Sequence, residues 1–139
     1  SDYRFFISRI EKYQKQFSIE IIAYCLIPNH FHFLLREPIC GHKNFFGSNL
    51  ARFMHRLLTS YAKYFGYHHS DYSGHVFQGQ YRNKIVIDST YLYTLIIYIF
   101  NNPVRKKLVG HYLNWPYRSN LNATEVKSAL ATLECFTSC

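Results

Sequence analysis

Two histidines flank one phenylalanine at His30-Phe31-His32, a spacing that can do metal chemistry. Just before them, Pro28-Asn29 reads as a turn between two apolar runs. Proline presets the backbone at the first central position of a β-turn, and asparagine tolerates the second. A hairpin follows, with one strand over residues 18–27 and another over 30–36. Side chains two apart on a strand share a face, roughly 6.5–7 Å along the chain. His30 and His32 therefore project together, with Phe31 and Phe33 on the opposite face. Two neighbouring imidazoles can hold one divalent metal through a nitrogen each. A pair of half-buried histidines at a sheet edge gives the same pattern, and H-x-H alone does not separate the two.

A second pattern joins Tyr98 to Asn102. Asp88 or Ser89 is placed to cap a helix that runs to about Asn102, where Pro103 interrupts it. Leu92, Leu95, Ile96 and Ile99 form its core stripe, and Tyr91, Thr94, Tyr98 and Asn102 a neighbouring one. A tyrosine one turn from an asparagine on a partly polar face suits a nucleophile beside a metal ligand. With thirteen tyrosines in the chain, ordinary packing of Tyr98 is the plainer alternative.

Other elements must position these groups. Asp2 is placed to cap a first helix reaching about Phe17, with Phe5, Phe6, Ile10, Tyr13 and Phe17 at helical spacing. The strand over 18–27 is nearly apolar on both faces and belongs inside a sheet rather than at its edge. After a loop over 37–44, a long helix is expected over about 47–66. Leu50, Phe53, Met54, Leu57, Leu58, Tyr61 and Phe65 make its core stripe. Arg52, Arg56 and Lys63 fall on its other side, as a solvated face or a phosphate track. The polar loop 67–74 carries His68, His69 and Asp71, which could imitate a metal site; a mobile loop touching nucleic acid is the preferred reading. Residues 76–81 and 84–87 read as strand broken by Gly79. Arg105, Lys106 and Lys107 cluster after the last long helix. A turn-rich stretch over 111–122 and a separable helix over 123–135 close the chain. The expected organisation is a domain over 1–121 with a helical extension over 122–139.

The chain of 139 residues is long enough for one domain with a real core. Sixteen Lys+Arg against eight Asp+Glu give a net charge of +8, a balance suited to a polyanion such as nucleic acid. Aromatics make up 19% of the chain, and rings interleaved with cations suit single strands, whose bases stack on exposed rings. No apolar run approaches the ~20 residues of a membrane span. Cys25, Cys40, Cys135 and Cys139 show no C-x-x-C spacing, and Cys25 reads as a small buried hydrophobe in a reduced, cytoplasmic setting.

Four blocks in order carry a resemblance: Y-C-L-I-P-N-H-F-H-F-L-L (24–35), F-M-H-R-L-L-T-S-Y-A-K-Y-F (53–65), G-H-V-F-Q-G-Q-Y (74–81) and Y-I-F-N-N-P-V-R-K-K-L-V (98–109). Over residues 3–117 the chain resembles the single-tyrosine HUH transposases, in the branch of REP-associated tyrosine transposases. The resemblance implies an α+β fold, a ferredoxin-like or RRM-like antiparallel sheet with helices packed on it. It also implies a metal-dependent endonuclease and strand transferase acting on single-stranded DNA at a hairpin-associated site, in a bacterial, nucleoid-associated, cytoplasmic setting. His30 and His32 match the metal ligands and Tyr98 the nucleophile. Asn102 matches the polar residue completing the metal site, a glutamine in many relatives. Phe100 and Asn101 replace a His-Leu often seen in that block. The family fold begins with a strand ahead of the first helix, whereas Ser1 here leads almost directly into that helix. That strand is therefore expected to be missing from this chain or replaced by another element. Relatives include monomers and dimers with exchanged tyrosine helices.

The groups themselves suggest how such a reaction would run. A divalent ion, Mg²⁺ or Mn²⁺, neutralises and positions a phosphate, while a phenolic oxygen attacks to leave a 5′-phosphotyrosine and a free 3′-OH. Arg52, Arg56, Lys63, Arg105, Lys106 and Lys107 are the candidate DNA contacts. Two rivals stand beside this reading. One is a non-catalytic module of the same fold that binds a DNA or RNA hairpin. The other is a structural metal protein, with Cys25 or the His68-His69 loop joining the histidine pair.

Overall fold

The computed structural model describes residues 1–37, 48–120 and Lys127. The chain is α+β and forms two compact units, each built from discontinuous segments. The first comprises Ser1–Glu20 and Glu37–Asn83, and the second Ile21–Arg36 and Lys84–Cys139. No helix among the described residues is long and apolar enough to cross a membrane.

In the first unit, helix α1 (Asp2–Gln16) packs on helix α2 (Asn49–His68). The apolar spacing read from the sequence produces this. Phe6, Ile10 and Tyr13 are buried on α1, with Phe17 just beyond it, and Phe53, Met54 and Leu57 are buried on α2. Each such side chain removed from water contributes about 1.5–3 kcal/mol. Ser48 caps α2 by accepting from the Ala51 amide at 3.1 Å. The N-cap of α1 is Ser1, not Asp2. Asp2 sits in the first turn, where its carboxylate accepts from His69 Nε2 at 3.1 Å and Tyr64 Oη at 3.4 Å, while Phe5 stacks on Tyr64 at 3.8 Å. The loop after α2 is thus pinned through His69.

The second unit is built on strands β1 (Glu20–Ile27) and β2 (His30–Arg36), joined by the Pro28-Asn29 turn as a hairpin. β1 is the interior strand, as its apolarity on both faces demands. On its free side, residues 117–119 pair with it antiparallel: Leu26 N donates to Tyr117 O at 2.9 Å, and Ser119 N donates to Tyr24 O at 3.0 Å. Trp115 Nε1 donates to Leu26 O at 2.8 Å. Helix α3 (Ser89–Arg105) lies against β2 and against the short 3₁₀ turn Tyr112–Asn114. Leu92, Ile96 and Ile99 of α3 join Ile22, Ala23, Cys25, Ile27 and Leu34 of the hairpin in one buried cluster. Burial there pushes the Cys25 thiol up to about 11, so it behaves as a hydrophobe.

Three expectations are corrected. Residues 76–81 and 84–87 are not strands. They run irregularly and mostly exposed, and Gly79 takes a positive φ of 91° that breaks any extended run. Pro103 does not stop its helix, which continues to Arg105. So near the C-terminus the missing amide costs one bond, and the Lys106 and Leu108 amides still donate to Asn102 O and Pro103 O. The long helix runs on to His68, and so takes in the first residues of the expected 67–74 loop. The loop over 38–44, residue Gly47, the 121–122 boundary and, but for Lys127, the helix over 123–135 lie outside the described residues.

Asp88 caps α3, its Oδ1 accepting from the Tyr91 amide at 2.7 Å. Asp88→Ala is expected to cost about 1 kcal/mol of stability. Urea unfolding followed by circular dichroism checks this, and an unchanged midpoint would mean that the cap does not hold the helix start.

Candidate functional site

The second unit brings His30, His32, Tyr98 and Asn102 together. β2 supplies the two histidines from one face, their ring centroids 4.9 Å apart and nearly perpendicular. Phe31 and Phe33 pair on the other face at 5.1 Å. From α3, Asn102 places its Nδ2 3.0 Å from His32 Nε2. Tyr98, one turn earlier, sets its ring edge-on to His32 at 5.3 Å. Period two on the strand and a separation of four on the helix thus converge, because the apolar stripes of α3 and the hairpin hold the two elements in register.

The hydrogen bonds assign the tautomers. His30 Nδ1 donates to Asn29 Oδ1 at 2.7 Å, leaving Nε2 with its lone pair. His32 Nε2 faces the Asn102 amide, so its proton sits on Nδ1. Both rings are biased toward the neutral, ligating form. Burial lowers the pKa of His32 below its ordinary 6.5, and the charges of His30 and Lys106 add to this. Burial and Lys106 likewise lower His30, against a smaller opposing effect of the Asn102 side chain.

Asn102 is only 3% exposed, and its Oδ1 is buried without a partner among the described residues. An orphaned buried carbonyl oxygen costs about 1–3 kcal/mol unless something satisfies it. Beside two imidazoles biased toward the neutral form, that something can be a cation. Two nitrogens and one amide oxygen, without carboxylate or thiolate, fit Mn²⁺ or Mg²⁺ with positions left open. No group of three or more His, Cys, Asp and Glu side chains suited to a metal occurs among the described residues. Cys25 belongs to the apolar cluster, and His69 is engaged by Asp2.

Cations at the end of α3 lie beside the cluster. Arg105 lays its guanidinium 4.9 Å from the centre of the Tyr98 ring. Arg105, Lys106 and Lys107 are all exposed at the end of α3. In the first unit Arg56 and Lys63 are exposed on α2, whereas Arg52 is half-buried over the Phe17 ring at 5.2 Å and is partly a packing residue. Reading by residue type gave Asn29 only as a turn residue and Arg105 and Lys106 only as DNA contacts, without the partner of His30, the ring of Tyr98 or the charge on both histidines. Arg105 follows Tyr98 by two helical turns, and Lys106 follows Asn102 by about one, so helical spacing carried the signal. Comparison with protein-family models, with curated proteins and with solved structures found no match.

In an NMR titration both histidines are expected to show midpoints below 6.5, because adding a proton there is opposed by lost hydration and by Lys106. Lys106→Met should raise both midpoints. Midpoints at or above 6.5 would contradict this environment.

Proposed function

We propose that the chain is a metal-dependent endonuclease and strand transferase for single-stranded DNA, of the single-tyrosine HUH transposase kind. The observation that carries it is the convergence of His30, His32 and Asn102, with its orphaned buried oxygen, beside the ring of Tyr98. In this reading the three polar residues hold Mn²⁺ or Mg²⁺, which when bound supplies charge neutralisation for a phosphate oxygen. Tyr98 Oη attacks phosphorus in line, and its proton passes to solvent. The bond from phosphorus to the 3′ oxygen breaks, and that oxygen takes a proton from water. The products are a 5′-phosphotyrosine and a free 3′-OH. Attack on that linkage by another 3′-OH rejoins strands without a nucleoside triphosphate, since one phosphodiester-type bond replaces another.

The remaining residues support this chemistry by position and charge. Asn29 orients His30, and Arg105 covers the Tyr98 ring. Arg105, Lys106 and Lys107 offer positive charge to the scissile region, and Arg56 and Lys63, with Arg52 in part, offer it to flanking phosphates. The +8 charge fits a polyanionic partner. The preferred substrate is a single strand flanking a hairpin.

A nicked suicide oligonucleotide with Mn²⁺ is expected to become covalently attached to the peptide spanning Tyr98. Tyr98→Phe should retain DNA binding and lose the adduct. His32→Ala should reduce cleavage on the order of a hundredfold or more, because even outer-shell changes at metal sites cost 10–100-fold. An adduct on Tyr91 or Tyr93 would displace Tyr98 from the role. Binding without cleavage or adduct would leave a hairpin-binding module instead.

A further inference from the structure

The first unit carries a groove of about 590 Å³ that the reaction above does not use. One wall is a stripe of α2, formed by Ala51, His55, Leu58, Thr59 and Ala62. The other is the irregular segment after the loop, with Phe77, Gly79, Gln80, Tyr81 and Asn83. Phe77 anchors that segment on α2 by packing against Tyr61 at 5.9 Å. A tight turn follows, in which Gly79 N donates to Phe77 O at 3.1 Å with Gly79 at positive φ. The turn is followed by Gln80, Tyr81 and Asn83, which line the groove.

The volume lies within the range of roughly 300–1,000 Å³ usual for small-ligand sites. The lining combines a flat ring with mixed donors and acceptors. Tyr81 is 36% exposed. The side chains of His55, Thr59, Gln80 and Asn83 make no hydrogen bond among the described residues. The charge around the groove has one sign. Helix α2 carries Arg52, Arg56 and Lys63 and no Asp or Glu, and the segment 77–83 carries Arg82 and no acid. At 100° per residue, Arg56 and Lys63 lie about a quarter-turn round α2 from His55, on the Thr59 side, so they flank the groove. Carboxylates that would mark a cation or basic-peptide site are absent from both walls.

From these features we infer that the groove binds one unpaired nucleobase of the DNA strand. The base stacks on Tyr81, as bases do on exposed rings in single-strand sites. Its edge meets the Gln80 and Asn83 amides, which offer a donor and an acceptor each, and His55 and Thr59 from the helix. Arg56, Lys63 and Arg82 receive the phosphates on either side. This rests on the reading that the chain takes single-stranded DNA, and it adds a base-reading site remote in sequence from Tyr98.

The test uses the full chain and a fluorescein-labelled thymine 20-mer carrying 5-iodouracil at single positions. Irradiation should cross-link the base to the 77–83 segment, with Tyr81 as the expected residue. Tyr81→Ala should abolish that cross-link and weaken binding about tenfold, within the range for losing one stacked base. His55→Ala, on the exposed face of α2, should weaken binding in the same direction should Tyr81→Ala fold poorly. Tyr98→Phe should leave the cross-link in place. Tight binding with cross-links elsewhere only, and with both alanine variants within twofold of the parent, would overturn the groove while leaving DNA binding intact. No binding by the parent chain would overturn both readings together.

Discussion

The contact between Asn102 and His32 is the constraint on which the second unit turns. Asn102 is the one buried polar side chain among the described residues, and it sits on a helix otherwise held by Leu92, Ile96 and Ile99. Apolar packing alone would accept a leucine there and gain by it. An amide instead commits α3 to a position where its nitrogen meets a ring on β2 and its oxygen is buried without a partner among the described residues. A helix rotated to bring Pro103 to the strand would leave His32 Nε2 without a donor, and one rotated to bring Asn101 there would turn Leu92, Ile96 and Ile99 away from the core. The cost of the orphaned oxygen is of the order that one missing ligand would offset. A fold that retains such a group has either a use for it or a defect, and the two imidazoles beside it argue for a use.

The rest of the unit makes that position rigid. β1 is paired on both sides, by β2 and by residues 117–119, so the strand beneath α3 cannot slip without breaking hydrogen bonds at both edges. A one-residue slip of β2 would also turn His30 and His32 to the face now held by Phe31 and Phe33. Period-two alternation therefore specifies the histidine face and the phenylalanine face at once. Trp115 locks the far edge through Leu26 O. The backbone bonds at both edges of β1 and the Trp115 bond do not involve the histidine side chains, so the hairpin itself should survive their replacement.

Local pattern made much of this legible in the sequence. The hairpin, the shared face of His30 and His32, the capping Asp88 and the one-turn spacing of Tyr98 and Asn102 are all properties of short segments with fixed geometry. What was not legible depends on partners distant in the chain. Residues 76–81 and 84–87 have strand-like composition, with Val76, Phe77, Tyr81, Ile85 and Ile87, yet no strand among the described residues pairs with them and they stay irregular. Residues 117–119 sit in a stretch full of turn formers, yet β1 offers them an open edge and they pair with it. Strand propensity measures fit to a neighbour, and the neighbour is not encoded locally. Pro103 misleads for a related reason, because its cost falls with distance from the helix interior. The Asp2–His69 pin joins residues far apart in sequence, and no spacing rule reaches across that gap.

Charge around the histidine pair links the two halves of the proposed chemistry. Lys106 opposes a proton on either imidazole, and like charge opposes any cation placed there for the same reason. A site meant only to store a metal would carry a carboxylate in that position, as the usual compensation for a dication. Here the nearby cations are Lys106 and, over the Tyr98 ring, Arg105, and the proposed ligand set is neutral. The missing negative charge is what a phosphodiester brings. A strand seated beside Tyr98 would be attracted by Lys106 and Arg105, and its charge would offset their repulsion of the ion. Ion and strand would then each favour the other's binding, by reciprocal linkage. Assembly of the reactive centre would wait for the substrate, and a neutral ligand set within a basic rim is the arrangement that achieves this.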